Sequence, residues 1–169
     1  MAGNSDALSN RDIQPGHDQT FKKSEKNFVK ALQMLFPSDE WVVVDHPREL
    51  TRTINGRYGL IPEASLRNIA TDKQMYFEVK KQGLRGNADE RACKHHTAAF
   101  QAWINDLTGL PYHPFVTVFT DALAVAERYT SKHPVYFEEG HYVNWVGYDL
   151  IVLKDFMDQY VVPLLTEQE

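Results

Sequence analysis

Met75-Tyr76-Phe77-Glu78-Val79-Lys80-Lys81-Gln82-Gly83 is the stretch on which the reading of this chain turns. Its first six residues alternate as a pleated strand does. Met75, Phe77 and Val79 point to one face, and Tyr76, Glu78 and Lys80 to the other. An acid and a lysine two residues apart therefore project from one side. A carboxylate there can hold a divalent cation. An ammonium beside it can hold a phosphate oxygen or lower the pKa of a water. An ordinary half-exposed strand with a charge pair also contains Glu-x-Lys, so the pair alone is a weak signal.

A second acid strengthens it. Gly59 to Leu66 reads as an extended segment carrying Pro62-Glu63, followed by a polar connection of Arg67, Asn68, Thr71, Asp72 and Lys73. A short hairpin would set Glu63 beside Glu78. Two carboxylates sharing a site repel unless a cation sits between them. A Mg²⁺ site needs that arrangement, with waters and a substrate phosphate completing the octahedron. Asp72 and Glu49 are weaker candidates for the same role. Glu25, on the first helix, is a further acid that could supplement a metal site, but flanked by Lys22, Lys23 and Lys26 it reads first as a solvated helix charge.

On the C-terminal side the chain continues Arg85-Gly86-Asn87-Ala88-Asp89-Glu90-Arg91-Ala92-Cys93-Lys94. Asn87 reads as a helix N-cap, with Glu90 as its capping-box partner. The same residue types read bases: Asn pairs with adenine N6/N7 and Arg with guanine O6/N7. A capped helix start also offers its amides to phosphate.

Taken together, Glu78-x-Lys80-x-Gln82-Gly83, then Gly86-Asn87-Ala88-x-Glu90-Arg91-x-x-Lys94, with Pro62-Glu63 ahead of them, resembles the EcoRI/MunI type of type II restriction endonuclease, within the PD-(D/E)xK nuclease superfamily. The close match covers residues 78–94. The resemblance implies an α/β fold with a mixed sheet flanked by helices. It implies Mg²⁺ held by Glu63, Glu78 and the main-chain carbonyl of Val79, with Lys80 positioning the attacking water and a product carrying a 5′-phosphate. Carried over residue by residue, Arg85, Gly86, Asn87, Ala88, Glu90 and Arg91 would read double-stranded DNA, and Lys81, Gln82 and Lys94 would contact its backbone. The implied site has an AATT centre. Arg85, directly before the glycine, favours CAATTG over GAATTC. A cognate DNA methyltransferase and a bacterial or phage-infected cytoplasm also follow from the resemblance. A palindrome cut on both strands calls for a C2 homodimer, expected to use part of a long helix from Asp89 to Leu107 or the region after it. The chain departs from the family in having Glu63 where Asp is usual, and in a shorter gap between the two motifs. Two alternatives stay open: a DNA-binding module with a decayed nuclease site, and a related repair or phage-defence nuclease with another target.

Composition agrees. At 169 residues the chain suits one domain, with residues 1–18 as a polar tail and 19–169 as the nuclease domain. No apolar run approaches the ~20 residues a bilayer span requires, and the N-terminus lacks an apolar signal core. A lone cysteine, Cys93, excludes an internal disulfide framework and reads as a packed thiol. No Cys/His spacing suggests zinc, and the histidines read mostly as surface or satisfied residues. The net charge of −5 argues against a sprawling nonspecific nucleic-acid binder. Yet Lys80 to Lys94 holds five basic residues against two acids, a local basic cleft on an acidic body. Binding to DNA without metal should be weak, because bare carboxylates would face the phosphates.

The remaining segments predict scaffold. Residues 19–36 read as a helix with Phe21, Phe28, Ala31, Leu32 and Leu35 on one face, ended by Pro37. Strands are expected at 41–44, 57–66, 74–81 and 115–120. The helix from Asp89 to Leu107 would bury Cys93, Thr97, Phe100, Ile104 and Leu107. A short helix is expected at 122–128, and another at 155–165 despite Pro163.

Overall fold

The computed structural model describes residues 21–51, 59–83 and 85–168. A five-stranded sheet runs in the order β1 (Trp41–Asp45), β2 (Ala64–Asn68), β3 (Gln74–Lys80), β4 (Phe115–Phe119), β5 (Tyr142–Asn144). β1, β2 and β3 pair antiparallel; β3, β4 and β5 pair parallel. This is the expected α/β architecture: a mixed sheet flanked by helices. The expected 1–18 tail lies outside the described residues.

The alternation expected of β3 is present and explains its position. Met75, Phe77 and Val79 join the larger core cluster. There they meet Phe28, Ala31 and Leu32 of helix α1 (Phe21–Leu35) and Leu153, Phe156, Met157 and Val161 of the C-terminal helical segment. Tyr76 turns to the other face, packing with Phe115, Ile104 and Leu50. A strand covered on both faces sits mid-sheet, and its polar residues on the second face are buried with it.

Several boundaries differ from expectation. The second strand starts at Ala64 and takes in Arg67 and Asn68, which the sequence places in the connection. Pro62 cannot donate to a ladder, so pairing begins after it. The turn follows Asn68, whose side chain accepts from Thr71 N–H at 3.1 Å, and Asp72 takes a left-handed φ of 61°. The expected long helix is broken. α2 (Ala88–Ala92) runs into a 3₁₀ turn at Cys93–His95, and α3 (Ala98–Thr108) starts afresh. Thr97 stops the first and caps the second: its backbone is extended (ψ 155°) and its hydroxyl accepts from Phe100 N–H at 3.0 Å. Gly109, at φ 74°, closes α3.

Between β4 and β5 lie three single turns, α4 (Ala122–Val125), α5 (Glu127–Thr130) and α6 (His133–Tyr136), instead of one helix at 122–128. β5 went unforeseen, being only three residues long. The C-terminal helical segment begins at Leu150, earlier than expected. It passes from α7 (Leu150–Phe156) through a wide π turn at Met157–Val161 into α8 (Val162–Thr166). The wide turn lies just ahead of Pro163, whose ring would clash with the carbonyl four residues before it in a regular α-helix.

Candidate active site and recognition segment

The register of β2 on β3 sets Ala64 opposite Phe77, which puts Glu63 across from Glu78. Glu63 N–H donates to the Phe77 carbonyl at 3.1 Å and extends the ladder by one rung. Glu78 is 5% exposed, and Lys80 Nζ stands 3.8 Å from its Oε2. The hairpin thus brings together the two acids and the lysine expected from sequence. A cleft of about 410 Å³ beside them is lined by Glu25, Glu63, Val79, Lys80, Lys81, Ala88, Arg91 and Lys94, with Glu78 buried behind its wall. Lys81 is 8% exposed and its Nζ has no hydrogen-bond partner among the described residues.

Burial raises the pKa of Glu63 well above the usual carboxylate range. The neighbouring Glu78 adds to the shift by hydrogen bonding and by repulsion, while Lys80 opposes it. Glu63 therefore holds its proton to higher pH than an exposed glutamate does. Its Oε2 is buried without a hydrogen-bond partner among the described residues. Two close carboxylates, one with an orphaned oxygen and a proton held by crowding, fit a hard divalent cation that would take the proton's place. Among the described residues no three His, Cys, Asp or Glu side chains converge as a metal cage. A cation held here would draw its other ligands from main-chain and non-protein oxygens.

Glu25 corrects the sequence reading. It lines the cleft from α1 instead of standing in solvent. Burial raises its pKa, with Glu78 and Asp45 adding to the shift and His46 and Lys80 opposing it. His46, at a left-handed φ of 53°, has Nε2 3.7 Å from Glu25 and Nδ1 bonded to Asp45, and its N–H donates to the Glu63 carbonyl. The other two candidate acids lie elsewhere. Asp72 pairs with Arg67 at 3.0 Å beyond the strand ends. Glu49 accepts from the Tyr76 hydroxyl at 3.1 Å and does not line the cleft. Behind the site, Thr120 donates to the Lys80 carbonyl from its N–H (3.0 Å) and its hydroxyl (3.2 Å). Nothing in the sequence around Thr120 announces this role.

The segment expected to read DNA follows the end of β3 at Lys80. Arg85, Gly86, Asn87, Glu90 and Arg91 are exposed, and Arg91 also borders the cleft. Ala88 is buried. The expected capping box is not formed: Asn87 occupies the N-cap position without a side-chain bond. Gln82 caps the helix instead, its Oε1 accepting from Ala88 N–H at 2.7 Å and its Nε2 donating to the Tyr129 hydroxyl at 2.8 Å. Both ends of the Gln82 amide are thus engaged within the chain. Gly86 is required here, because its φ is 127° and a Cβ would lie 2.5 Å from the Gln82 side chain. Glu90 and the fully buried Asp89 both reach Lys132.

Of the surface or satisfied readings expected for the histidines, the satisfied one holds for His96, His113, His133 and His141, each with a hydrogen-bonded ring nitrogen, and His95 departs from both. His95, His113 and His133 are buried, and His96 links Thr117 (2.7 Å) to His113 (3.1 Å) on the Glu78 face of the sheet. Burial lowers the pKa of His95 to about 3, of His96 to about 2 and of His113 to about 4. Cys93 is the packed thiol expected, raised in pKa by burial and by Asp89 and Glu90.

Neither a protein-family model nor a curated protein sequence matches the chain. Its structure is similar to that of the MunI restriction endonuclease, solved in complex with cognate DNA. The TM-score is 0.70 at 18% sequence identity, over 79% of this chain and 86% of that one. At this identity the likeness establishes a restriction-endonuclease-like fold.

Proposed function

We propose that this chain is a site-specific DNA endonuclease, dependent on Mg²⁺ and leaving 5′-phosphates. The observation that carries the reading is the in-register pair Glu63 and Glu78, with Lys80 beside it, at a cleft that Glu63 and Lys80 line together with Lys81, Arg91 and Lys94. A fold similar to that of a restriction enzyme solved on its cognate DNA supports it.

Glu63, Glu78 and the Val79 carbonyl would hold Mg²⁺, which supplies charge stabilisation at the phosphate and the leaving oxygen. Lys80 orients a water for attack in line with the scissile bond. The water gives a proton to solvent as its oxygen bonds to phosphorus, the P–O3′ bond breaks, and the 3′ oxygen takes up a proton from solvent in turn. Lys81, whose ammonium has no hydrogen-bond partner among the described residues, and Lys94 neutralise backbone phosphates. Arg85, Asn87, Glu90 and Arg91 read bases with an AATT centre, CAATTG being the preferred site. The enzyme acts as a homodimer in the cytoplasm of a bacterial cell, with a methyltransferase protecting host DNA.

Incubation of plasmid DNA with the protein and Mg²⁺, with the cut ends sequenced, tests this. Discrete fragments with 5′-phosphates at a site containing AATT are expected. A retarded duplex with no cleavage would favour a binding module with a decayed site, the reading that Glu63 in place of Asp keeps open. Discrete cleavage at sites lacking AATT would point to a nuclease with another target.

A further inference from the structure

We propose that Lys132 is a positioning residue for the recognition segment, an inference that rests on the DNA-reading assignment of residues 85–91. α2 spans five residues, too few to be stable alone, and Asn87 does not cap it. Its order must come from outside. Gln82 and Tyr129 hold its first turn. Ala88 and Ala92 pack into the core with Phe119 and Phe137, and Lys132 holds the polar side: its Nζ lies 3.1 Å from Asp89 Oδ2 and 3.3 Å from Glu90 Oε2.

Asp89 is 0% exposed, and a buried carboxylate that loses its countercharge is driven toward water. In this segment that movement would unwind the turn carrying Asn87, Glu90 and Arg91. The same ammonium fixes Glu90, whose side chain is otherwise half exposed. Lys132 is itself placed by its own neighbourhood: it follows α5 directly and its Nζ lies 5.6 Å over the Tyr129 ring. Tyr129 is fully buried and also donates to the Gly83 carbonyl at 3.4 Å. The turn from α5 into α6 therefore grips the strand exit through Tyr129 and the helix through Lys132. Asp89 occupies the unspecified position of Asn-Ala-x-Glu-Arg, so the latch belongs to this chain's own residues.

The test compares binding and cleavage of CAATTG and CATATG duplexes by wild type, Lys132→Met, Lys132→Arg and the double variant Asp89→Leu/Lys132→Met, the preference being read from binding where there is no cleavage. Hydrogen exchange is followed at the Arg91 amide, which donates to the Asn87 carbonyl at 3.0 Å. Lys132→Met should lose about tenfold or more of the preference for CAATTG, the scale of one inner contact, and exchange faster at Arg91. Lys132→Arg should retain the preference. The double variant removes the buried charge along with its partner. It should fold as stably as wild type yet still lose the preference, because Glu90 is no longer held. It carries the test if the single variant does not fold. A discriminating wild type alongside an equally discriminating Lys132→Met or double variant overturns the inference alone. A wild type that cuts without discriminating overturns the recognition reading and this inference with it, and so does one that neither cuts nor binds.

Discussion

Glu63 keeps a proton that an exposed glutamate loses near pH 4.5, because its carboxyl is buried beside Glu78. The sign of the consequence is fixed. Below the unfolded pKa both states hold the proton. Above it the unfolded chain releases it and the native chain does not, so native stability declines as pH rises. Glu63→Gln should therefore exceed wild type in metal-free stability at pH 8, by about 1 kcal/mol or more, and converge with it near pH 4.5. Urea titrations at the two pH values check this; equal midpoints at pH 8 would show that Glu63 is ionised. On the proposed chemistry, Mg²⁺ must displace that proton, so calorimetric affinity should rise with pH. Glu78→Ala and Lys80→Ala should each abolish cleavage with the circular-dichroism spectrum unchanged. Wild-type turnover in either would remove the residue from the mechanism. Glu63→Asp should keep or raise activity.

Two elements depend on residues outside their own span. α2 takes its cap from Gln82, and Gly86 leaves room for that contact. Gly86→Ala should cost about 1–3 kcal/mol, because it adds backbone strain and expels the Gln82 amide. A midpoint within experimental error of wild type would show that the turn relaxes freely. α3 lies over a layer of neutral histidines. His95 stacks on Phe115, and neither of its ring nitrogens has a hydrogen-bond partner among the described residues. A histidine held neutral by burial contributes stability above pH 6.5 that is lost as pH falls, since the unfolded chain takes up the proton first. His95→Phe should match wild type at pH 7 and outlast it between pH 6 and 4, the reverse of the Glu63 trend. Parallel stability curves for the two proteins would show that His95 is not held neutral.

At the scale of the whole molecule, a palindrome cut on both strands needs two sites related by a two-fold axis. Sedimentation on a CAATTG duplex should give two chains per duplex, and a strict monomer at micromolar protein would contradict the dimer. The dimer face expected on one long helix has to be sought on two, since Thr97 divides that segment. That division shows where sequence reasoning stops. β3 was legible because the period-2 alternation of Met75 to Lys80 is local, and Glu63 could be set opposite Glu78 because one hairpin register relates them. The α/β class, the basic segment and the packed Cys93 were legible for the same reason: each rests on neighbours in the chain. The tertiary structure alone decided what depends on distant partners. It broke the helix at Thr97, where the buried His95 packs on Phe115, moved the cap from Asn87 to Gln82 by supplying Tyr129 from 47 residues away, and turned Glu25 into the cleft. Spacing along a chain tells which side chains share a face. Which buried polar group finds a partner is settled only when separate elements close on one another, since that packing removes the water that would otherwise satisfy them all.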